Sequence, residues 1–266
     1  MTIVLVLGFL LYSSWPLIAQ QGVAFIVGSE WYPFESLFGM LPALVGTLWA
    51  VALALMIALP CGVAAAILSA ELLPARLRNP LRFSMELMAG VPSVVYGLLG
   101  IWVLLPLLES QLNLLTGRTL LAAGLLLALM ILPTIMVLAE DALRGVRQSQ
   151  REAAKNLGLG WNATLCRVLL PQAWPGIRVA TLLASGRAMG ETVAVMLVVG
   201  SIDRIPEPFY NFLQPAQTLT SRIGREMAEA SVGSQHWAAL LFCGLLLAVI
   251  AIVVSLAAHR KASVVV

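Results

Sequence analysis

The chain has 266 residues, of which 60% are hydrophobic and 11% are charged, and its formal net charge is +3. Soluble proteins average roughly half apolar and about a quarter charged residues, so this composition indicates an integral membrane protein. The basic residues are scattered between apolar segments, which argues against a nucleic-acid partner. Three cysteines without CxxC spacing and only two histidines predict neither a disulfide framework nor a metal site.

Six segments reach or approach the roughly 20 apolar residues that a membrane-spanning helix needs. In chain order they cover residues 2–19, 40–70, 81–108, 120–138, 174–200 and 237–258. Internal repeats, low-complexity tracts and Gly/Ser linkers are lacking in the sequence. The chain is therefore predicted to be an all-α membrane protein with six transmembrane helices in a single domain, residues 1–266.

The distribution of Lys and Arg predicts the orientation, because cytoplasmic loops are enriched in both. With a cytoplasmic N-terminus, the inner segments and span ends contain Arg76, Arg78, Arg82, Arg144, Arg147, Arg151, Lys155, Arg167, Arg178, Arg260 and Lys261. The outer segments contain only Arg118, Arg204, Arg222 and Arg225. Both termini and the polar segment of about residues 141–173 are therefore predicted to be cytoplasmic.

That polar segment contains a spaced motif. Glu152-Ala153-Ala154 is followed after three residues by Gly158, and after nine more by Val168-Leu169-Leu170-Pro171. The first part is rich in helix-forming residues from Arg151 to Leu157, and glycine readily takes the left-handed conformation that ends a helix. We expect a short helix here, ended by Gly158, with an apolar face of Ala153, Ala154 and Leu157.

Two charged residues, Arg187 and Glu191, lie within the fifth apolar segment, where insertion of each charge costs about 2.5 to 3.5 kcal/mol. At four residues apart they share a face of a helix. One interpretation is a buried ion pair that fixes helix register. The other is an anion site, in which the guanidinium fork binds oxygens, Glu191 tunes it, and the hydroxyl of Thr192 lies nearby.

The third apolar segment contains the motif Gly90-Val91-Pro92-Ser93-Val94-Val95-Tyr96-Gly97. Pro92 removes a backbone donor, and such a break is tolerated where protein or a water-lined cavity satisfies the freed carbonyl. Ser93 and Tyr96 then either offer hydroxyls to an anion or serve helix packing. A further short helix is predicted from about Thr220, with Arg222, Arg225, Glu226 and Glu229 on a solvated face, a docking surface or an anion-attracting vestibule.

The spaced motif with Glu152, Ala153, Ala154, Leu157 and Gly158 resembles the EAA loop of ABC importer permeases, which contacts a cytoplasmic ATPase subunit. Further matches make the chain similar to the C-type permease of phosphate ABC importers: Trp31-x-Pro33, Phe38-Gly39, Pro42, Gly46-Thr47-Leu48, the Gly90–Gly97 motif, Arg187-Ala188-Met189-Gly190-Glu191-Thr192 and Thr218-Leu219-Thr220-Ser221.

The resemblance implies a type I ABC importer permease fold that transports phosphate by alternating access in the bacterial plasma (inner) membrane. It implies a homologous A-type permease, a cytoplasmic ATPase dimer and an extracytoplasmic phosphate-binding protein as partners, besides membrane lipid. It also matches Arg187 and Glu191 to a charged pair associated with transport, and we add Pro92, Ser93, Tyr96 and Thr192 to the expected substrate path.

The sequence has no GxxxxGK[ST] loop, so the chain itself is expected to bind no nucleotide or other cofactor and not to be an enzyme. Three alternatives stay open. A permease for sulfate, molybdate or phosphonate would share the EAA loop. An ion-coupled secondary carrier would need carboxylates within spans, of which only Glu191 qualifies. A non-transporting sensor subunit would need neither a buried pair nor a path.

Overall fold

The computed structural model describes the backbone of residues 2–262 and the side chains of residues 2–256. It is mostly helical, and a two-stranded antiparallel hairpin, β1 (Trp31–Tyr32) and β2 (Leu37–Phe38), pairs Trp31 with Phe38. The helices are α1 (Thr2–Gln21), α2 (Leu41–Ile67), α3 (Ala75–Gly90), α4 (Ser93–Leu99), α5 (Leu105–Leu112), α6 (Leu120–Arg144), α7 (Gln148–Asn156), α8 (Trp161–Thr164), α9 (Leu170–Gly190), α10 (Val193–Val198), α11 (Leu219–Glu226) and α12 (Gln235–Ala262). Short π-helical turns extend α2 (Leu68–Leu72), join α4 to α5 (Gly100–Leu104) and join α8 to α9 (Leu165–Leu169).

Five helical stretches within the described residues are long and apolar enough to cross a membrane. They are Thr2–Gln21, Leu41–Leu72, Ser93–Leu112, Leu120–Arg144 and Gln235–Leu256. The predicted all-α membrane architecture is confirmed, and four of the six predicted segments match these stretches closely. The other two predicted segments, 81–108 and 174–200, differ from the structure in where their helices break.

The predicted break at Pro92 is confirmed, but the apolar span begins after it, at Ser93, and not at residue 81. Val91 is extended, with φ −64° and ψ 132°, and a new helix starts at Ser93. Proline disfavours helical backbone in the residue before it. The predicted span over residues 174–200 is also interrupted: α9 ends at Gly190 and α10 begins at Val193.

The described residues form two compact units. The first comprises those within Met1–Ala54, Pro92–Leu127 and Ala188–Val253. Its core packs the hairpin side chains Trp31 and Phe38 with Met40, Leu219 and Phe242. Here α4 and α10 run in parallel, since a Cβ added at Gly97 would lie 3.2 Å from the Cα of Ala194, and one at Gly100 would lie 2.8 Å from Cγ1 of Val198.

The second unit comprises the described residues within Leu55–Val91, Ala128–Arg187 and Val254–Val266. Its core brings together Met136 and Leu143 of α6, Leu165 and Leu169 before α9, and Ile177 of α9. Glycine allows close approach of helices here, because a Cβ added at Gly176 would lie 2.4 Å from that of Ala142. This unit holds the whole of α7, the helix of the spaced motif.

Candidate functional site

The predicted short helix at the spaced motif is confirmed as α7, and glycine ends it as expected. Gly158 has φ +69°, which is the left-handed conformation that glycine adopts without steric cost. The Gly158 amide donates to the Lys155 carbonyl at 2.9 Å, and the Leu159 amide donates to the Ala154 carbonyl at 3.1 Å. These bonds satisfy carbonyls that would otherwise lack partners at the end of the helix.

The expected apolar face of α7 is wrong in one residue. Ala153 is exposed and the side chain of Leu157 is 77% exposed, but Ala154 is 2% exposed. On a helix, residues four apart share a face while the next residue is rotated by roughly 100°. Ala153 and Leu157 therefore form an outward apolar face, which we call the docking face, and Ala154 packs into the chain. Glu152 accepts a hydrogen bond from Gln148 at 3.2 Å.

The residue before the motif, Arg151, fixes α7 to the rest of its unit. Its Nη1 donates to both carboxylate oxygens of Glu71 at 2.8 and 2.9 Å, and its Nη2 donates to the Leu143 carbonyl at 2.7 Å. Sequence reasoning did not single out this role. Glu71 lies 80 residues away along the chain, so no helical periodicity connects the two residues.

A groove lies beside the start of α7, with a volume of about 480 Å³. Its walls come from the end of α6, the start of α7 and the first turns of α9: Ala142, Gly145, Val146, Arg147, Gln150, Gln172, Ala173 and Gly176. Most of these side chains are small, and the polar ones are uncharged apart from Arg147.

In the second unit, Arg187 donates hydrogen bonds to two other helices. Its Nη2 donates to the Ala89 carbonyl at 2.9 Å, and its Nη1 donates to Oγ1 of Thr134 at 3.4 Å. Ala89 lies in the last turn of α3, where carbonyls lack helical partners and a cation is favourable. Arg187 thus joins α9 to α3 and α6, as the register-fixing interpretation requires of it, although with different partners from those expected.

The expectation that Arg187 and Glu191 share one helix face is wrong, because α9 ends at Gly190. The two residues fall in different units. The ion pairs described for residues 2–256 include neither of them. The Glu191 carbonyl instead accepts a hydrogen bond from Oγ1 of Thr220 at 2.8 Å, which joins the break after α9 to α11.

In the first unit, the starts of α4 and α10 lie at the same end of the parallel pair. Ser93 opens α4 after Pro92, and Thr192 precedes the first residue of α10; no side chain caps either start. Ser93 and Thr192 are half-buried, whereas Tyr96 is 4% exposed. The geometry brings Ser93 and Thr192 to one end of the unit and places Tyr96 in its interior.

The short helix predicted from about Thr220 exists as α11, with a reciprocal cap between Thr218 and Ser221. The expected solvated face is wrong for two of its charges. Arg222 is fully buried and pairs with Asp203, while its guanidinium lies 3.9 Å from the centre of the Trp31 ring. Glu226 accepts hydrogen bonds from Nε1 of Trp31 at 2.8 Å and from the His236 ring at 2.9 Å.

Comparison with known proteins agrees with this architecture. Residues 58–260 match the family model described as binding-protein-dependent transport system inner membrane component. The chain is 35% identical over 257 residues to the phosphate transport system permease protein PstC of Mesorhizobium japonicum, covering 89% of this chain and 77% of that protein. It is 33% identical to PstC of Pasteurella multocida, covering 92% and 81% of the two chains.

Solved structures of other importers share the fold. A chain of the inward-facing MetNI methionine ABC transporter matches with a TM-score of 0.61 at 19% identity, covering 85% of this chain and 94% of that one. A chain of a bacterial ABC transporter involved in the import of the acidic polysaccharide alginate matches with a TM-score of 0.63 at 15% identity, covering 97% and 92%. The chain therefore belongs to the family of binding-protein-dependent transport system inner membrane components, the membrane-spanning subunits of type I ABC importers, in which it is a C-type relative of the PstC permeases.

Proposed function

We propose that this permease imports inorganic phosphate and forms half of the translocation path of its transporter. The observation that carries the proposal is the docking face of α7, on a chain that lacks a nucleotide-binding loop of its own. An exposed Ala153 and Leu157 on a short, capped helix suit insertion into a groove of a separate protein. Similarity to two PstC permeases supports phosphate as the anion.

In this proposal the partner at α7 is a cytoplasmic ATPase dimer. Glu152, Ala153, Leu157 and Gly158 form or shape the contact, and Ala154 holds α7 against its own unit. ATP and Mg²⁺ are bound by the ATPase. Closure of the ATPase dimer displaces α7, and the permeases alternate between two states that open on opposite sides of the membrane.

The helix starts of the first unit support an anion path. Backbone amides at helix starts, together with the helix dipole, favour negative charge. We assign Pro92, Ser93 and Thr192 to this path, with Tyr96 supporting α4 from the interior and Glu191 tuning the charge of the break after α9. In transport, the amides and hydroxyls at this end replace part of the anion's hydration shell.

Arg187, in the second unit, is a separate candidate for binding the anion. A guanidinium has five N–H donors, and the described contacts of Arg187 use two of its nitrogens, one of them at the long distance of 3.4 Å. Donors therefore remain for the oxygens of phosphate, which match the planar fork. Arg187 then has two functions, to fix α9 on α3 and to bind the transported anion.

The proposal includes the remaining partners and the membrane. A homologous A-type permease forms the other half of the path, and an extracytoplasmic phosphate-binding protein delivers the anion. The complex lies in the bacterial plasma (inner) membrane with both termini of this chain in the cytoplasm. Large apolar side chains of α1, among them Ile3, Leu5, Phe9 and Trp15, are more than half exposed and contact lipid.

The test is uptake of radioactive phosphate by proteoliposomes that contain the assembled transporter. Uptake is measured with and without ATP on the side of the membrane that the ATPase faces. We expect ATP-dependent phosphate uptake that excess sulfate, molybdate or phosphonate does not suppress. Suppression by one of these would assign that oxyanion instead. Uptake without ATP would indicate a secondary carrier, and absence of any uptake by a fully assembled complex would indicate a sensor subunit.

Arg187→Lys separates the two functions of Arg187. Lysine keeps the positive charge and a donor for the Ala89 carbonyl but loses the planar fork. If Arg187 binds phosphate, uptake should fall about tenfold or more, as expected for the loss of a bidentate contact. The matched control is Arg178→Lys, because Arg178 lies on the same helix and its guanidinium stacks over the Trp174 ring. This variant should retain uptake. Uptake near that of the control would return Arg187 to the register-fixing role alone.

A further inference from the structure

One side chain, Arg151, joins α7 to the ends of two long helices. Glu71 lies in the π-helical turn Leu68–Leu72 that closes α2, and Leu143 lies in the last turn of α6. Arg151 donates to both Glu71 oxygens and to the Leu143 carbonyl, with all three distances between 2.7 and 2.9 Å. No other side chain of α7 makes a described hydrogen bond or ion pair outside its own helix.

The environment of Arg151 favours a rigid connection. The side chain of Glu71 is 11% exposed and that of Arg151 is 20% exposed, so water competes less for this pair than for an ion pair on the surface. The Leu143 carbonyl, in the last turn of α6, accepts one backbone hydrogen bond, from the Val146 amide at 3.3 Å, and its second lone pair can accept from Arg151. The helix dipole also favours a cation at this end. Arg151 therefore donates to a carbonyl at the end of α6 while it also binds the Glu71 carboxylate at the end of α2.

Two attachments hold α7 in its unit. One is the buried Ala154 together with the packing of α7 on α8 and on the turn Leu165–Leu169, which leads directly into α9. The other is Arg151. The docking face of Ala153 and Leu157 is separate from both attachments, because those side chains are exposed.

We infer that Arg151 is a positioning residue for energy coupling: it transmits displacement of α7 to the ends of α2 and α6, while the turn before α9 transmits it to α9. The inference rests on the proposed function, since it takes α7 as the contact with the ATPase. Without Arg151, α7 still contacts the ATPase through its docking face, but it moves independently of α2 and α6. ATP hydrolysis then continues while transport falls.

The experiment measures phosphate transported per ATP hydrolysed by the assembled transporter in proteoliposomes. Arg151→Gln and Glu71→Gln each remove one charge of the pair, and Glu71→Gln does so at nearly constant volume. Arg76→Gln is the matched control, because Arg76 is exposed, lies in the same unit, and has no described hydrogen bond or ion pair within residues 2–256. The exchanged variant, R151E with E71R, restores the pair of charges but not the donor to the Leu143 carbonyl.

We expect both single variants to assemble with the ATPase, to hydrolyse ATP, and to transport at least about fivefold less phosphate per ATP, the lower end of a typical coupling between two sites. The exchanged variant should recover part of this ratio. Ratios within twofold of the Arg76→Gln control in both single variants would overturn the inference. Loss of assembly in the single and exchanged variants alike would also overturn it, since Arg151 would then be needed for folding or docking. Absence of ATP-dependent uptake by the unmodified transporter would instead contradict the proposed function.

Discussion

At the scale of single residues, the structure explains several charges by partners that are far away in sequence. Arg222 lies inside the first unit between Asp203, the Gly39 carbonyl and the ring of Trp31. A buried cation is costly unless it is paired, and removal of one partner leaves the other uncompensated. The segment of Arg222 is thereby fixed to the hairpin and to the loop of Asp203, so this residue stabilises the unit.

Substitution of Arg222 should therefore destabilise the protein more than substitution of Arg225, which lies on the same helix. Arg222→Met removes the partner of Asp203 and should cost about 3 kcal/mol, seen as a lower midpoint of thermal unfolding in detergent. Arg225→Met is the control, because the Arg225 side chain is 45% exposed and exposed pairs contribute at most about 1 kcal/mol. Equal midpoints for the two variants would contradict the structural role of Arg222.

Gly158 offers a test of the end of α7. Gly158→Ala forces a side chain into the left-handed conformation at a cost of about 1 to 2 kcal/mol, although no atom lies within 4 Å of the added Cβ. We expect the rate of substrate-stimulated ATP hydrolysis to be lower in the Gly158→Ala transporter than in the unmodified one. Gly160→Ala is a matched control, since Gly160 has φ −64° and equally open surroundings. A similar loss in both variants would show that the conformation of Gly158 is not the cause.

At the scale of elements, the sequence predicted those helices that depend on residues close together in the chain. The helix-forming run before Gly158 predicted α7, and the apolar lengths predicted α1, α2, α6 and α12. The contacts of Arg187 with Ala89, of Arg151 with Glu71 and of Arg222 with Asp203 could not be predicted, because each joins helices or loops far apart in sequence. Pro92 predicted a break, but the helix end after Gly190 has no proline to mark it.

The packing of α2 on the segment before α11 gives a prediction at this scale. A Cβ added at Gly46 would lie 1.9 Å from the Gln217 carbonyl oxygen, so backbone would have to move. Gly46→Ala should therefore destabilise the protein by about 2 to 3 kcal/mol, as overpacking does. Gly186→Ala, inside α9 with no atom within 4 Å, should leave the unfolding midpoint unchanged or raise it. A midpoint for Gly46→Ala at or above that of Gly186→Ala would contradict this packing.

At the scale of the whole molecule, the asymmetry of basic residues predicts which side of the membrane each loop occupies. Cysteine reporters can be placed at Ser149, in α7, and at Val232, before α12, because both positions are exposed. Cys61 and Cys166 are exposed and must be replaced by serine first. An impermeant maleimide should label position 232 from outside intact cells and position 149 only after the membrane is opened. Labelling of both positions from the same side would contradict the predicted topology.

In the proposed coupling, α7 receives the motion of an ATPase through the docking face of Ala153 and Leu157. The most direct measurement is ATP hydrolysis stimulated by the substrate in the assembled transporter that carries Ala153→Asp. A carboxylate on this face must be desolvated to enter an apolar groove, so we expect a chain that inserts normally and a stimulated rate reduced to the basal level. Leu115→Asp, at a fully exposed side chain outside α7, should retain stimulation. Stimulation of the Ala153→Asp transporter at the unmodified rate would contradict the role of α7 as the ATPase contact.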